Sequence, residues 1–235
     1  MTERGVALIL VILITTFLSA LALGMATIVS MSQLAEANYT GSVGMLYAAD
    51  AGIALAAHDL AQTPDWDLVL SGAAPGAFVD GVPSGVRDIP AGGLVWLDRE
   101  TNQLNCAKAT ACTTAQMNAN TRERPWGANN ARWRLLEFGP LSRVEALAGP
   151  VPWYLLVWVA DDGRETDGNP MLDGSAADKR GRGILRVRAE VFGAKGARRA
   201  VEAELARLCA VEDGVETCQP GLRVQSWQEV RQLVP

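Results

Sequence analysis

The stretch DDGRETDGNPMLDG, residues 161–174, concentrates acidic groups between two runs that read as strong strands. Asp161, Asp162, Glu165, Asp167, Asn169 and Asp173 offer oxygen ligands on a glycine-containing loop, which is the donor type that Ca2+ takes. The spacing is not that of an EF-hand, because no D-x-D-x-D-G run ends in a glutamate at the twelfth place. A solvated acidic turn accounts for the same residues, so both readings stand at this level. The four cysteines form two local pairs, Cys106 with Cys112 and Cys209 with Cys218. Neither has the C-x-x-C spacing of a zinc knuckle or a thioredoxin-like site. Two short-loop disulfides fit an oxidising compartment, and four buried thiols fit a reducing one. The single histidine, His58, has no serine or cysteine nucleophile at a suggestive spacing. Asp161 and Asp162 are adjacent, so a strand would point them to opposite faces. There is no G-x-S-x-G, phosphate loop or H-E-x-x-H. The expectation is a protein that binds and does not catalyse.

The elements that must position these groups divide sharply along the chain. Of 235 residues, 49% are apolar, yet no charged side chain occurs between Arg4 and Glu36. A hydrocarbon core ~30 Å thick needs about 20 helical residues. Val6 to roughly Ile28 supplies them, with Leu10, Leu13, Phe17, Leu21 and Ile28 along it and only Thr15, Thr16 and Ser19 as early polar interruptions. Those hydroxyls can bond back to carbonyls one turn earlier. The run is too long for a secretory signal, whose apolar core is about 7–15 residues. Arg4 is the only Lys or Arg before Arg87, so the positive-inside rule places the amino end in the cytoplasm and the chain beyond the span on the far side of the inner membrane. The net charge of −5, with no Lys/Arg cluster, leaves no footprint for nucleic acid. KRGRGILRVR, residues 179–188, reads as a solvated strand face because Ile184 and Val187 interrupt its arginines.

Residues 32–62 contain no proline, and Val43, Leu46, Asp50, Ile53, Ala57 and Leu60 recur at three- and four-residue steps, the spacing of one helix face. Thr63-Pro64 should end that helix. The pattern predicts one helix of about 55 residues, apolar all round in its first half and amphipathic in its second. Beyond it, residues 63–93 read as a Gly- and Pro-rich loop with one short strand near Asp67 to Leu70. Strands are predicted at Leu94 to Asp98, followed by a turn at Thr101-Asn102, and at Arg132 to Phe138. The strongest signals are PWYLLVWVADD and a hairpin of Ile184 to Phe192 and Ala197 to Leu208 joined around GAKG. Residues 221–230 would add a closing strand after a Cys209 to Cys218 loop. The fold class is α+β: a long N-terminal α-helix, transmembrane then amphipathic, packed on a C-terminal antiparallel β-sheet whose opposite face stays partly wet. The seven tryptophans are expected in the core of that domain, with a surface-binding platform as the alternative should several be exposed. Asn38 begins a glycosylation sequon but falls within the predicted helix.

A short charged leader ending in glycine, a long apolar helix directly after it and an amphipathic continuation resemble the plan of class III signal, type IV pilin-like proteins. RGVALILVILI followed by YAADAGIALAAHDLA is similar to the amino-terminal domain of PilX-type minor pilins, whose aromatic-Ala-Ala-acid-Ala-Gly/Ala stretch is matched by Tyr47 to Gly52. The resemblance covers residues 3 to 62, about a quarter of the chain. It implies a pilin-like fold divided into a leader (1–5), a transmembrane helix that becomes filament core (6–30), its amphipathic continuation (31–62) and an exported β-rich domain (63–235). It implies cleavage between Gly5 and Val6 by a prepilin peptidase and methylation of the new amino terminus. Implied partners are other minor and major pilins, the inner-membrane pilus assembly platform and an adhesin, with residence in the inner membrane before assembly. Major pilins carry a glutamate at the fifth position after the cut; Leu10 stands there, which points to a low-copy, accessory or tip subunit. The K-type minor pseudopilins of type II secretion share this departure and are the second family resembled, though they are usually longer. Calcium in those pseudopilins and in some pilins adds weight, by analogy, to a Ca2+ reading of the acidic loop. A bitopic periplasmic enzyme or receptor with an uncleaved anchor is the reading from a different class.

Overall fold

The computed structural model describes residues 3–120, 127–144, 151–164, 168–173, 183–212 and 215–230, and the backbone alone for 3–6, 210–212 and 215–220. Helix α1 runs Glu3–Gln62 and stops where Thr63-Pro64 was expected to stop it. Chain contacts divide the protein into two units, residues 1–43 and 44–235.

In the first unit, every side chain from Ala7 to Thr40 is exposed. The hydroxyls of Thr15, Thr16, Ser19, Thr27 and Ser30 donate to carbonyls three or four residues earlier, at 2.7–3.0 Å. The helix therefore presents an apolar surface whose few polar atoms are satisfied internally.

The second unit is a five-stranded antiparallel sheet in sequential order, β3 (Arg134–Pro140), β4 (Tyr154–Asp161), β5 (Ile184–Phe192), β6 (Arg198–Glu212) and β7 (Val215–Glu229). The β5–β6 hairpin turns through Ala194–Gly196, where Lys195 adopts positive φ. Residues 44–62 of α1 cover one face: Met45, Ala48, Ala49, Ile53, Ala56 and Leu60 pack on Leu155, Val157, Val187, Ala189 and Val201. This buried stripe is rotated from the predicted one, since Asp50 points outward and small residues face the strands. Ala48, Ala49, Gly52 and Ala56 permit a close approach. A Cβ on Gly52 would lie 2.9 Å from Leu155 Cδ1 and 3.1 Å from Ala189 Cβ.

The opposite sheet face is dry over β4 and stays wet towards β7, where Ser226 and Gln228 are exposed. Tyr154, Leu156, Trp158 and Ala160 of β4 form a second core with Trp133, just before β3, and with Ile89, Val95 and Leu97, the last three supplied by a small β1–β2 hairpin (Val86–Asp88, Leu94–Trp96) and by α3 (Leu97–Cys106). β4 is consequently buried along its whole length. Three local expectations change with this second layer. The segment expected as a strand at Asp67 to Leu70 is helix α2 (Trp66–Ser71), because Asp65 caps its start by accepting from the Asp67 N–H and Gly72 ends it in the left-handed region. The strand at Leu94 stops at Trp96, and the Thr101-Asn102 turn is the interior of α3. The Cys209 to Cys218 stretch is not a loop but the paired ends of β6 and β7.

Of the arginine-rich run, residues 179–182 lie outside the described residues, and the part on β5 is not a solvated face. Arg186 and Arg188 of β5 face Glu202 across the hairpin; Arg186 bonds it, and Arg188 lies 3.7 Å from it and 3.2 Å from Glu190. Arg198 bridges Glu190 and Glu100, each at 3.3 Å, so α3 closes over paired charges that neutralise one another.

Candidate functional site

The apolar half of α1 is an exposed surface without a partner in the described chain. It is the one described helix long and apolar enough to cross a membrane; its most apolar window averages 2.6 in hydropathy and none of that window is buried. Leu10, Leu13, Phe17, Leu21 and Ile28 are all exposed, with Phe17 at 65%. A core helix of a globular domain would be covered, so this surface requires another apolar environment. A would-be Cβ on Gly24 or Gly41 would meet no described atom within 4 Å beyond its own turn of helix. Gly5 and Val6 lie in the backbone of α1, and their side chains fall outside the described residues.

The residues that carry the family resemblance have distinct physical tasks. Tyr47 is exposed, Ala48 and Ala49 are buried, and Gly52 admits Leu155 and Ala189. Asp50 accepts from Trp227 Nε1 at 2.8 Å, tying the helix to β7. His58 sits beside Gln62 on the exposed side of the helix, Nε2 to Nε2 at 2.7 Å. Of the tryptophans, Trp66, Trp133 and Trp158 are buried, Trp153 is partly buried, Trp96 and Trp227 are about half exposed, and Trp126 lies outside the described residues.

Cys106 and Cys112 are joined in a disulfide that links the end of α3 to the approach to α4 (Thr114–Ala119). Cys209 is disulfide-bonded, and the strand register sets Cys218 opposite it. Within the acidic segment, Glu165 and Asp167 lie outside the described residues. The others are engaged with protein donors. Asp161 accepts from the Asp162 N–H at 2.8 Å, and Asp162 accepts from Arg164 Nε at 3.0 Å. Asn169 accepts from the Met171 N–H at 3.2 Å, and Asp173 accepts from the Gly183 N–H at 2.7 Å. Arg164 continues to Glu204 at 3.2 Å. Among the described residues, no group of three His, Cys, Asp or Glu side chains could hold a metal ion.

A cleft of about 630 Å³ that sequence reasoning missed lies between α3, α4 and β3. Asp98, Asn102 and Asn105 of α3, Met117 and Asn118 of α4, and Arg132 to Leu135 line it. Thr113 sets the start of α4 through a reciprocal capping box with Gln116. Asn105 clamps Trp133, donating to its carbonyl at 2.9 Å and accepting from its N–H at 2.8 Å. Arg132 is only 8% exposed. Its Nη2 donates to Asn118 Oδ1, while Nη1 is buried without a hydrogen-bond partner. Burial pulls its pKa below the ordinary arginine value. Asp98, the one carboxylate among the described residues that line the cleft, accepts from the Gly85 N–H at 2.7 Å. The signal was present as the alternation Arg132-Trp133-Arg134, but nothing in that alternation says that α3 and α4 fold over it.

Comparison of the chain with protein-family models, with curated proteins and with solved structures found no match.

Proposed function

We propose that the chain is a minor type IV pilin-like subunit. It is inserted in the inner membrane with its amino terminus cytoplasmic and its folded domain periplasmic, cleaved after Gly5, and incorporated at low copy into a pilus or its tip or initiation complex. There it acts in assembly or adhesion, by binding and not by chemistry. Its partners are a prepilin peptidase, the assembly platform, other minor and major pilins and an adhesin.

One observation carries the reading. One helix is apolar and uncovered over its first half and packs on an antiparallel sheet over its last turns. A lipid anchor alone needs only the first half. A subunit that leaves lipid for a bundle of like helices needs a surface suited to both environments, with polar atoms satisfied internally and small residues for close approach. The hydroxyl bonds of Thr15, Thr16, Ser19, Thr27 and Ser30 and the open flank of Gly24 supply those features. Leu10 brings no carboxylate into the apolar stretch, which spares the subunit an unpaired charge and removes one contact that a repeating shaft would use.

The test is Gly5→Leu in the organism that makes the chain. The expected result is a longer polypeptide held in the membrane fraction and lost from sheared filaments. Unchanged mobility together with unchanged recovery in filaments would overturn the proposal, and recovery of the wild-type chain with a secretion pseudopilus would move it to the tip-pseudopilin family.

A further inference from the structure

We propose that the cleft between α3, α4 and β3 binds a small ligand carrying an oxyanion, a carboxylate or a phosphate, with Arg132 as its anchor and Arg134 as a second charge. The inference rests on the second unit alone and is independent of the filament reading.

Arg132 is a charged group removed from water without a counter-charge. Among the described residues it forms no ion pair, and its Nη1 has no acceptor. A buried charge left without a partner is strongly destabilising. An apolar side chain of similar volume would fill the same space at no such cost. The guanidinium is also held in place, since Nη2 is committed to Asn118 on α4. The α4 segment is in turn tied to α3 through Cys106–Cys112. The donor is therefore pre-oriented, which lowers the ordering cost of binding.

Arg134, two residues along the same strand, lines the cleft and is exposed. Its described polar contact is a long one, Nη2 to Met171 Sδ at 3.8 Å. Among the described residues, two guanidinium groups and one carboxylate, Asp98, line the cleft, and Asp98 is committed to Gly85. The volume of the cleft falls in the usual range for small-molecule sites. Arginine's planar donor set matches carboxylate and phosphate oxygens better than any other side chain.

The experiment uses the full-length chain in detergent micelles with 15N-labelled arginine side chains. Inorganic phosphate and acetate are titrated separately against chloride at constant ionic strength. The expected result is a saturable, one-site shift of the Arg132 signal in the millimolar range. Affinity should be lost in Arg132→Gln and weakened several-fold in Arg134→Gln. Tighter binding of phosphate assigns a phosphorylated ligand, and tighter binding of acetate a carboxylate. Absence of a saturable shift with both anions overturns the proposal, as does wild-type binding by a folded Arg132→Gln. Should that variant not fold, Arg132→Lys replaces it, with about ten-fold weaker binding expected from loss of the planar donor set; unchanged affinity would again overturn it.

Discussion

Glu137 is the most strongly perturbed residue described. It is fully buried on β3, no N–H reaches either carboxyl oxygen, and Gly76 lies so close above it that a Cβ there would come within 3.0 Å of Oε1. Burial, and then the nearby Asp59 carboxylate, push its pKa from 4.5 up to about 9. The neutral acid is thus the native form at physiological pH, while the unfolded chain would ionise. Folding takes up a proton here, so this group favours the native state most below pH 4.5 and loses that effect as pH rises towards about 9. The slope is about 1.4 kcal/mol per pH unit across that window. Glu137→Gln should remove the slope and raise stability at neutral pH by about 1–3 kcal/mol. Denaturant unfolding of both proteins between about pH 5 and pH 9 measures this, and parallel curves would contradict it. Sequence gave no hint of Glu137, because an acid amid RLLEFGP reads equally well as an outward-facing strand residue.

At the scale of elements, the join between α1 and the sheet depends on missing side chains. Gly52→Ala gains about 1 kcal/mol of helix propensity. It also forces a methyl against Leu155 and Ala189, and overpacking a filled core costs about 1–3 kcal/mol. The clash should win, giving a net loss of about 1 kcal/mol, whereas Gly41→Ala has nothing to meet and should stabilise the helix by up to about 1 kcal/mol. Thermal melts of the two variants should shift in opposite directions. The Cys106–Cys112 bridge closes a six-residue separation, and its removal in Cys112→Ser should cost about 2 kcal/mol. Much of this scale was legible in the chain. The α1 terminus, the β5–β6 hairpin and β4 follow from strong periodicity with clear stop signals. What escaped was the second layer on the sheet, because short segments such as WDLVLS and LDRETNQLNC hold too few residues for a period to declare itself. The helical state of the first is set by a cap at Asp65, the residue just before it, and both segments are fixed by packing on β4, which depends on residues distant from any local window. The cleft escaped for the same reason, since its walls belong to that layer.

The molecule as a whole joins two parts with opposite solvent demands. Residues 44–235 form a compact unit with cores on both faces of its sheet, whereas the exposed surface of residues 7–31 is overwhelmingly apolar. A chain beginning at Gly44 should therefore remain monodisperse without detergent and unfold cooperatively, and aggregation at the same concentration would contradict that division. The full chain should need lipid, detergent or partner helices. The central claim is that the apolar helix serves lipid first and a filament afterwards, with removal of the charged leader between the two. The intact mass of the chain isolated from its native cell envelope tests this most directly. A mass beginning at Val6 with one added methyl group is the predicted result, and a chain that still begins at Met1 in every fraction would contradict the account.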